Sequence, residues 1–125
     1  MILFLTNADT ELLAVRSVLH RLPDGFPAVR AANPARLEGA PDATGAGVVV
    51  VRLLGGRRAW EGPLADLRAR GVPLVAVGGE ASPDAELAAL STVPAGIVAE
   101  VHRYLAAGGP ANVEQCLRFV ADTVL

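Results

Sequence analysis

Residues 48–63 read VVVVRLLGGRRAWEGP, and the first half of that stretch decides the fold. Four successive valines show no polar alternation, the pattern of a strand buried on both faces, as in parallel sheets whose crossover helices cover both sides. The run then opens onto Arg52, the pair Gly55-Gly56, two further arginines, Arg57 and Arg58, and the only tryptophan, Trp60. A buried parallel strand needs helices before and after it, so the flanking sequence tests the reading.

Outward from this strand, the chain alternates. Residues 2–6 (ILFLT) form a short apolar run, with Asn7 or Asp9 placed to cap a helix over 11–22, where Leu12, Val15, Leu19 and Leu22 recur at helical spacing. After the PDGFP turn a weaker strand covers 28–32. It stops at Asn33-Pro34, because the residue before proline is pushed out of helical geometry. A loop runs from there to the strand at 47–54. Next come a helix over 60–70 with Gly71 as its cap, a strand over 72–77 ending at Gly78-Gly79-Glu80, and a helix over 84–90 announced by Ser82-Pro83-Asp84. The alternation breaks at STVPAG, and two helical stretches close the chain, 97–107 and 112 onward. Four parallel strands in the order 2-1-3-4, within a flavodoxin-like three-layer α/β fold carrying extra C-terminal helices, are the arrangement predicted.

The composition bounds function mainly by exclusion. With 125 residues and 52% hydrophobic content, the chain suits one packed α/β domain. A net charge of −2 gives no general attraction to nucleic acid or to anionic membrane. No apolar run approaches the ~20 residues of a spanning helix, and a cytoplasmic location is expected. One cysteine, Cys116, makes neither an internal disulfide nor a multi-cysteine metal site. All eleven cationic residues are arginine, so mechanisms that need a lysine are excluded. Phosphate-binding P-loop and GxGxxG patterns are absent, and no nucleophile, base and orienting acid assemble from the sequence.

In an open parallel sheet, ligands bind beyond the carboxyl ends of the strands where strand order reverses. That crevice would lie between TNADT (6–10) and RLLGGRRAW (52–60), with Gly79 and Glu80 next door. Arg52, Arg57 and Arg58 are suited to forked recognition of carboxylates, and Gly55-Gly56 to close backbone approach. The alternative is that the glycines only make the turn, the arginines are solvated or paired, and Trp60 packs a helix on the sheet. Ser91 and Thr92 are read as helix caps or substrate contacts. Arg52 continues a buried strand, so its charge needs a partner; Asp9, Glu80, helix-end carbonyls and the Ser91-Thr92 segment are the candidates.

Four segments carry a family likeness: ANPARL (32–37), VVVVRLLGGRRAWEG (48–62), PLVAVGGEASPDAELAALSTVP (73–94) and YLAAGGPANVEQCLRFVADTVL (104–125). Together they resemble the start of the large subunit of aerobic cobaltochelatase, the CobN family, and more distantly its magnesium chelatase relatives. The resemblance implies that residues 1–125 are the N-terminal α/β domain of a much longer subunit. That subunit inserts Co²⁺ into hydrogenobyrinic acid a,c-diamide with two ATPase-motor partners. It implies no cofactor within this segment, with Co²⁺ and ATP/Mg²⁺ belonging to the full complex. The expected partners are the rest of the large subunit, the two motor subunits and the tetrapyrrole. No catalytic residue is carried over. Arg52, Gly55, Gly56, Arg57, Arg58, Trp60, Gly79, Glu80, Ser91 and Thr92 are the residues expected in a substrate or interdomain role. A non-catalytic flavodoxin-like interaction module in a magnesium chelatase-type complex is the alternative.

Overall fold

A computed structural model describes all residues, 1–125. Its strands are β1 (Ile2–Thr6), β2 (Val29–Ala32), β3 (Val48–Leu53) and β4 (Leu74–Gly78). They form one sheet in the order β2-β1-β3-β4, and every pairing is parallel. The register sets Phe4 beside Val50 and Thr6 beside Arg52. The predicted 2-1-3-4 α/β arrangement is therefore the observed one.

Side-chain alternation in the strands divides the core in two. Ile2, Phe4, Val48, Val50, Val75 and Val77 face α1 (Asp9–Val18), α4 (Ala95–Ala107) and α5 (Pro110–Val124). Leu3, Leu5, Val49, Val51, Leu53, Leu74 and Ala76 face α2 (Glu61–Ala69) and α3 (Ala85–Leu90). Every residue of β1, β3 and β4 is buried, which is why those strands read as near-continuous apolar runs, with Thr6 and Arg52 the polar exceptions at their carboxyl ends. Cys116 belongs to the first cluster, and burial pushes its thiol up to about 12.

Local signals fix most boundaries and misplace a few caps. Asn33 stops β2, its side chain accepting from the Ala35 amide at 2.9 Å to start a 3-10 turn. Gly71 follows α2 with φ +80°, as a C-terminal cap requires. Neither Asn7 nor Asp9 caps α1. The N-cap is Ala8, whose methyl can accept nothing; its own amide donates to the Thr6 hydroxyl at 3.2 Å, and Asn7 and Asp9 are engaged elsewhere. Asp84, not Ser82, caps α3 by accepting from the Leu87 amide at 3.0 Å.

Ser91 is the C-cap residue of α3, its amide donating to the Ala88 carbonyl at 3.0 Å, but the side chains of Ser91 and Thr92 turn to β4. Thr92 accepts from the Leu74 amide through its hydroxyl and donates its own amide to the Leu74 carbonyl, both at 2.8 Å. The Ser91 hydroxyl accepts from the Ala76 amide at 2.8 Å and donates to the Ala76 carbonyl at 3.3 Å. Two hydroxyl side chains thus take the place of a fifth strand along the edge of β4. An uncovered edge invites pairing with another chain, so this covering supplies a physical reason for a serine-threonine pair where the alternation stops.

Candidate functional site

The carboxyl ends of β1, β3 and β4 lie side by side, and Asn7 stitches the first two together. Its carboxamide donates to the Leu54 carbonyl at 3.0 Å and accepts from the Leu54 amide at 2.8 Å, continuing the ladder one step past both strands. The switch point between β1 and β3 is thereby bridged, and the open space moves to one side of it.

Arg52 lies beneath that bridge. It shares the parity of Val48 and Val50, so its side chain enters the face covered by α1, α4 and α5, where the residue is only 9% exposed. A guanidinium in such a place must use its donors, and every nitrogen does. Nε donates to the Gly78 carbonyl at 3.2 Å and Nη2 to the Gly79 carbonyl at 3.1 Å. Nη1 pairs with Glu11 Oε2 and donates to the Leu105 carbonyl at 2.6 Å. Leu105 is in the last turn of α4, so Arg52 satisfies a terminal carbonyl and sets a cation at the negative end of that helix.

Glu11 is the partner that the sequence reading missed. It stands four residues before Val15, on the buried stripe of α1 with Leu12 and Val18, and a carboxylate on such a stripe signals a buried cation. Burial pushes its pKa upward, while the Arg52 charge pulls it back down and the Thr6 hydroxyl adds a smaller downward pull. Oε1 of Glu11 has no hydrogen-bond partner.

The other expected residues are not gathered into one site. Gly55 (φ +87°) and Gly56 (φ +73°) make the turn after β3, and the Gly55 amide donates to Glu80 Oε1 at 3.2 Å. Gly79 is a contact glycine: a Cβ there would come within 2.9 Å of the Leu54 Cα. Arg57 forms an exposed pair with Glu86 at 2.8 Å, and Arg58 is exposed with no ion-pair partner. Trp60 is buried in the α2/α3 cluster with Leu64 and Leu67. Ser91 and Thr92 lie along β4, as described. His102 is buried and satisfied, with Nε2 3.0 Å from the Glu80 carbonyl. No three His, Cys, Asp or Glu side chains converge.

The largest concavity lies on the α1/α5 side of the bridge. It is a cleft of about 630 Å³ floored by Thr6, Glu11 and Arg52, with Leu13 and Leu54 at its rim and Gly109 at the start of α5. Arg57, Arg58 and Trp60 do not line it. A smaller cavity of about 170 Å³ lies between β4, α3 and α4, beside Asp84 and His102. No helix is long and apolar enough to cross a membrane.

Comparison with known proteins gives two related chains. The aerobic cobaltochelatase subunit CobN of Pseudomonas aeruginosa is 31% identical over 135 residues, an alignment covering 99% of this chain and 11% of that one. The solved catalytic subunit of cobaltochelatase from Mycobacterium tuberculosis superposes with a TM-score of 0.85 at 40% identity, over 98% of this chain and 10% of that one. The chain thus spans about a tenth of the length of these relatives. No family model matches it.

Proposed function

We propose that this chain, similar to CobN cobaltochelatase subunits over nearly its whole length, belongs to that family and works as an assembly domain of such a subunit. The complete enzyme would insert Co²⁺, its metal substrate, into hydrogenobyrinic acid a,c-diamide, with two ATPase-motor subunits using ATP/Mg²⁺. In that setting this domain contributes structure and docking, and the groups that receive the metal lie elsewhere in the assembly.

One observation carries the assembly reading over a tetrapyrrole-gripping one. Arg52, the arginine best placed at the ligand end of the sheet, has all three nitrogens committed to Glu11 and to the Gly78, Gly79 and Leu105 carbonyls. Releasing any of them to a substrate carboxylate would strand a buried partner, at a cost of about 1–3 kcal/mol for each unsatisfied group. Trp60 supports the same reading, because a ring enclosed by Leu64 and Leu67 offers no face to a macrocycle. The chain has no phosphate-binding loop of the kind an ATPase uses, which fits a domain with neither ATPase nor chelatase activity of its own.

A second reading keeps the tetrapyrrole in play, because the α1/α5 cleft falls within the size range of small-molecule sites, roughly 300–1,000 Å³. Titrating the purified 125-residue chain with the tetrapyrrole and following visible absorbance separates the two. The assembly reading expects no saturable spectral change and no metal insertion; a saturable shift would overturn it. The interaction-module alternative in a magnesium chelatase-type complex predicts the same null titration. It is distinguished by pull-down, which would recover magnesium chelatase-type subunits instead of cobaltochelatase ones.

A further inference from the structure

Two of the four exposed large apolar side chains of this molecule stand on the rim of one cleft. Leu13 on α1 is 64% exposed and Leu54 after β3 is 44% exposed, whereas Leu19 and Leu125 do not line the cleft. Its floor holds Glu11, a 91% buried side chain whose Oε1 is an acceptor with no donor. Apolar walls above an unmet acceptor describe a surface that is incomplete by itself. The relatives supply a candidate for what completes it, since about nine-tenths of each lies outside the region this chain matches.

We propose that this cleft is the surface on which the domain seats against the rest of a large-subunit polypeptide. Its occupant is a segment of that polypeptide that lays apolar side chains between Leu13 and Leu54 and turns a hydrogen-bond donor toward Glu11. The choice of occupant rests on the assembly reading above. A peptide segment fits better than a tetrapyrrole because four of the five N–H donors of the cation on the floor, Arg52, are already bonded within the domain. What remains is one guanidinium N–H and the unmet Glu11 acceptor in a cleft rimmed by leucines, too little positive charge for a polycarboxylate and suited to a peptide's own donors, carbonyls and aliphatic side chains. Neither helix that begins at the cleft carries a side-chain cap, α1 starting at Ala8 and α5 at Gly109. Backbone carbonyls of an incoming segment would also find donors there.

The test compares hydrogen exchange in the isolated chain with that in a chimera, in which this chain replaces the matching segment of the M. tuberculosis catalytic subunit. The expected result is exchange at least about tenfold slower in the chimera across residues 10–17 and 109–113. Leu13→Asp should abolish that protection, while Leu19→Asp, on a different part of the surface, should leave it intact. Leu13→Asp should not change the melting temperature of the isolated chain; if it does, Leu13→Ser replaces it. Protection on another face only would overturn the cleft as docking surface and leave the assembly reading standing. No protection anywhere would overturn both. Protection that appears in the isolated chain when tetrapyrrole is added would overturn the peptide occupant in favour of a small-molecule site.

Discussion

The two sides of the sheet's carboxyl end make opposite use of the same loop. On the α2/α3 side, the segment carrying Arg57, Arg58 and Trp60 is closed: the tryptophan is in the core, Arg57 pairs with Glu86, and Asp84 sits against Gly56. On the α1/α5 side only one arginine enters, and beside it the helices diverge into a cleft with a buried, half-satisfied carboxylate. The side rich in cationic residues is the finished one, and the side with little net charge is the open one. A cluster of arginines in a loop sequence is therefore a poor guide to a site. Cavities form where packed elements separate, and exposed guanidinium groups find local partners at little energetic consequence.

The largest expected effect lies at the hinge of this comparison. Arg52→Ala leaves Glu11 and three carbonyls without their donor, and a loss of about 3–5 kcal/mol is expected in urea unfolding. An effect below about 1 kcal/mol would mean that the two sides are energetically alike. The same variant should be sensitive to pH. Burial already holds Glu11 above its ordinary value of 4.5, and removing the Arg52 charge and bond takes away its main downward pulls. A raised carboxyl contributes stability that is present below the unfolded pKa and lost as pH rises through the folded one. The deficit of Arg52→Ala against the parent should thus grow as pH rises above the ordinary carboxyl value of 4.5.

Next in size is Gly79→Ala, which sharpens the comparison by displacing the Leu54 wall of the cleft without touching a charge. The new Cβ meets Leu54 backbone at 2.9 Å, so a loss of about 1–3 kcal/mol is expected, together with altered amide shifts at Leu54 and Asn7. Ser91→Ala removes both hydroxyl bonds to Ala76 at the β4 edge and should cost about 1–2 kcal/mol; a larger tendency to self-associate would show that the edge covering also blocks pairing. Smallest is Arg58→Ala, expected within about 0.5 kcal/mol of the parent by thermal denaturation. A loss of several kcal/mol there would break the claim that the arginine-rich side is energetically quiet.

Much of the fold was legible because its signals are local. The run Val48–Val51, the shorter run before Asn7 and the one before Gly78 name the buried strands, and proline and glycine at Asn33-Pro34 and Gly71 mark where elements stop. The site was legible only in part. Strand parity already placed Arg52 with Val48 and Val50 on one face, and its need for a partner followed from burial. Its charged partner, Glu11, was also marked, by its place on the apolar stripe of α1, although the candidates at first sight were Asp9, Glu80, helix-end carbonyls and the Ser91-Thr92 segment, of which a helix-end carbonyl, that of Leu105, is met. The loop residues Arg57, Arg58 and Trp60 do not join Arg52 at the cleft, because chemical character does not reveal which side of a turn a residue takes.

By itself, then, the sequence determined four strands, their burial and the faces their side chains take, since these follow from periodicities of two and of about 3.6 residues within short windows. Only the tertiary structure decided that Arg52 joins Glu11, 41 residues away, and Leu105, 53 residues away. It also decided that Ser91 and Thr92 serve the edge of β4, and that the cleft opens between α1 and the start of α5. Those outcomes depend on how whole elements settle against one another once both faces of the sheet are covered. No short window of sequence encodes that relation, because the groups that meet are brought together by burial of their neighbours and not by their own spacing.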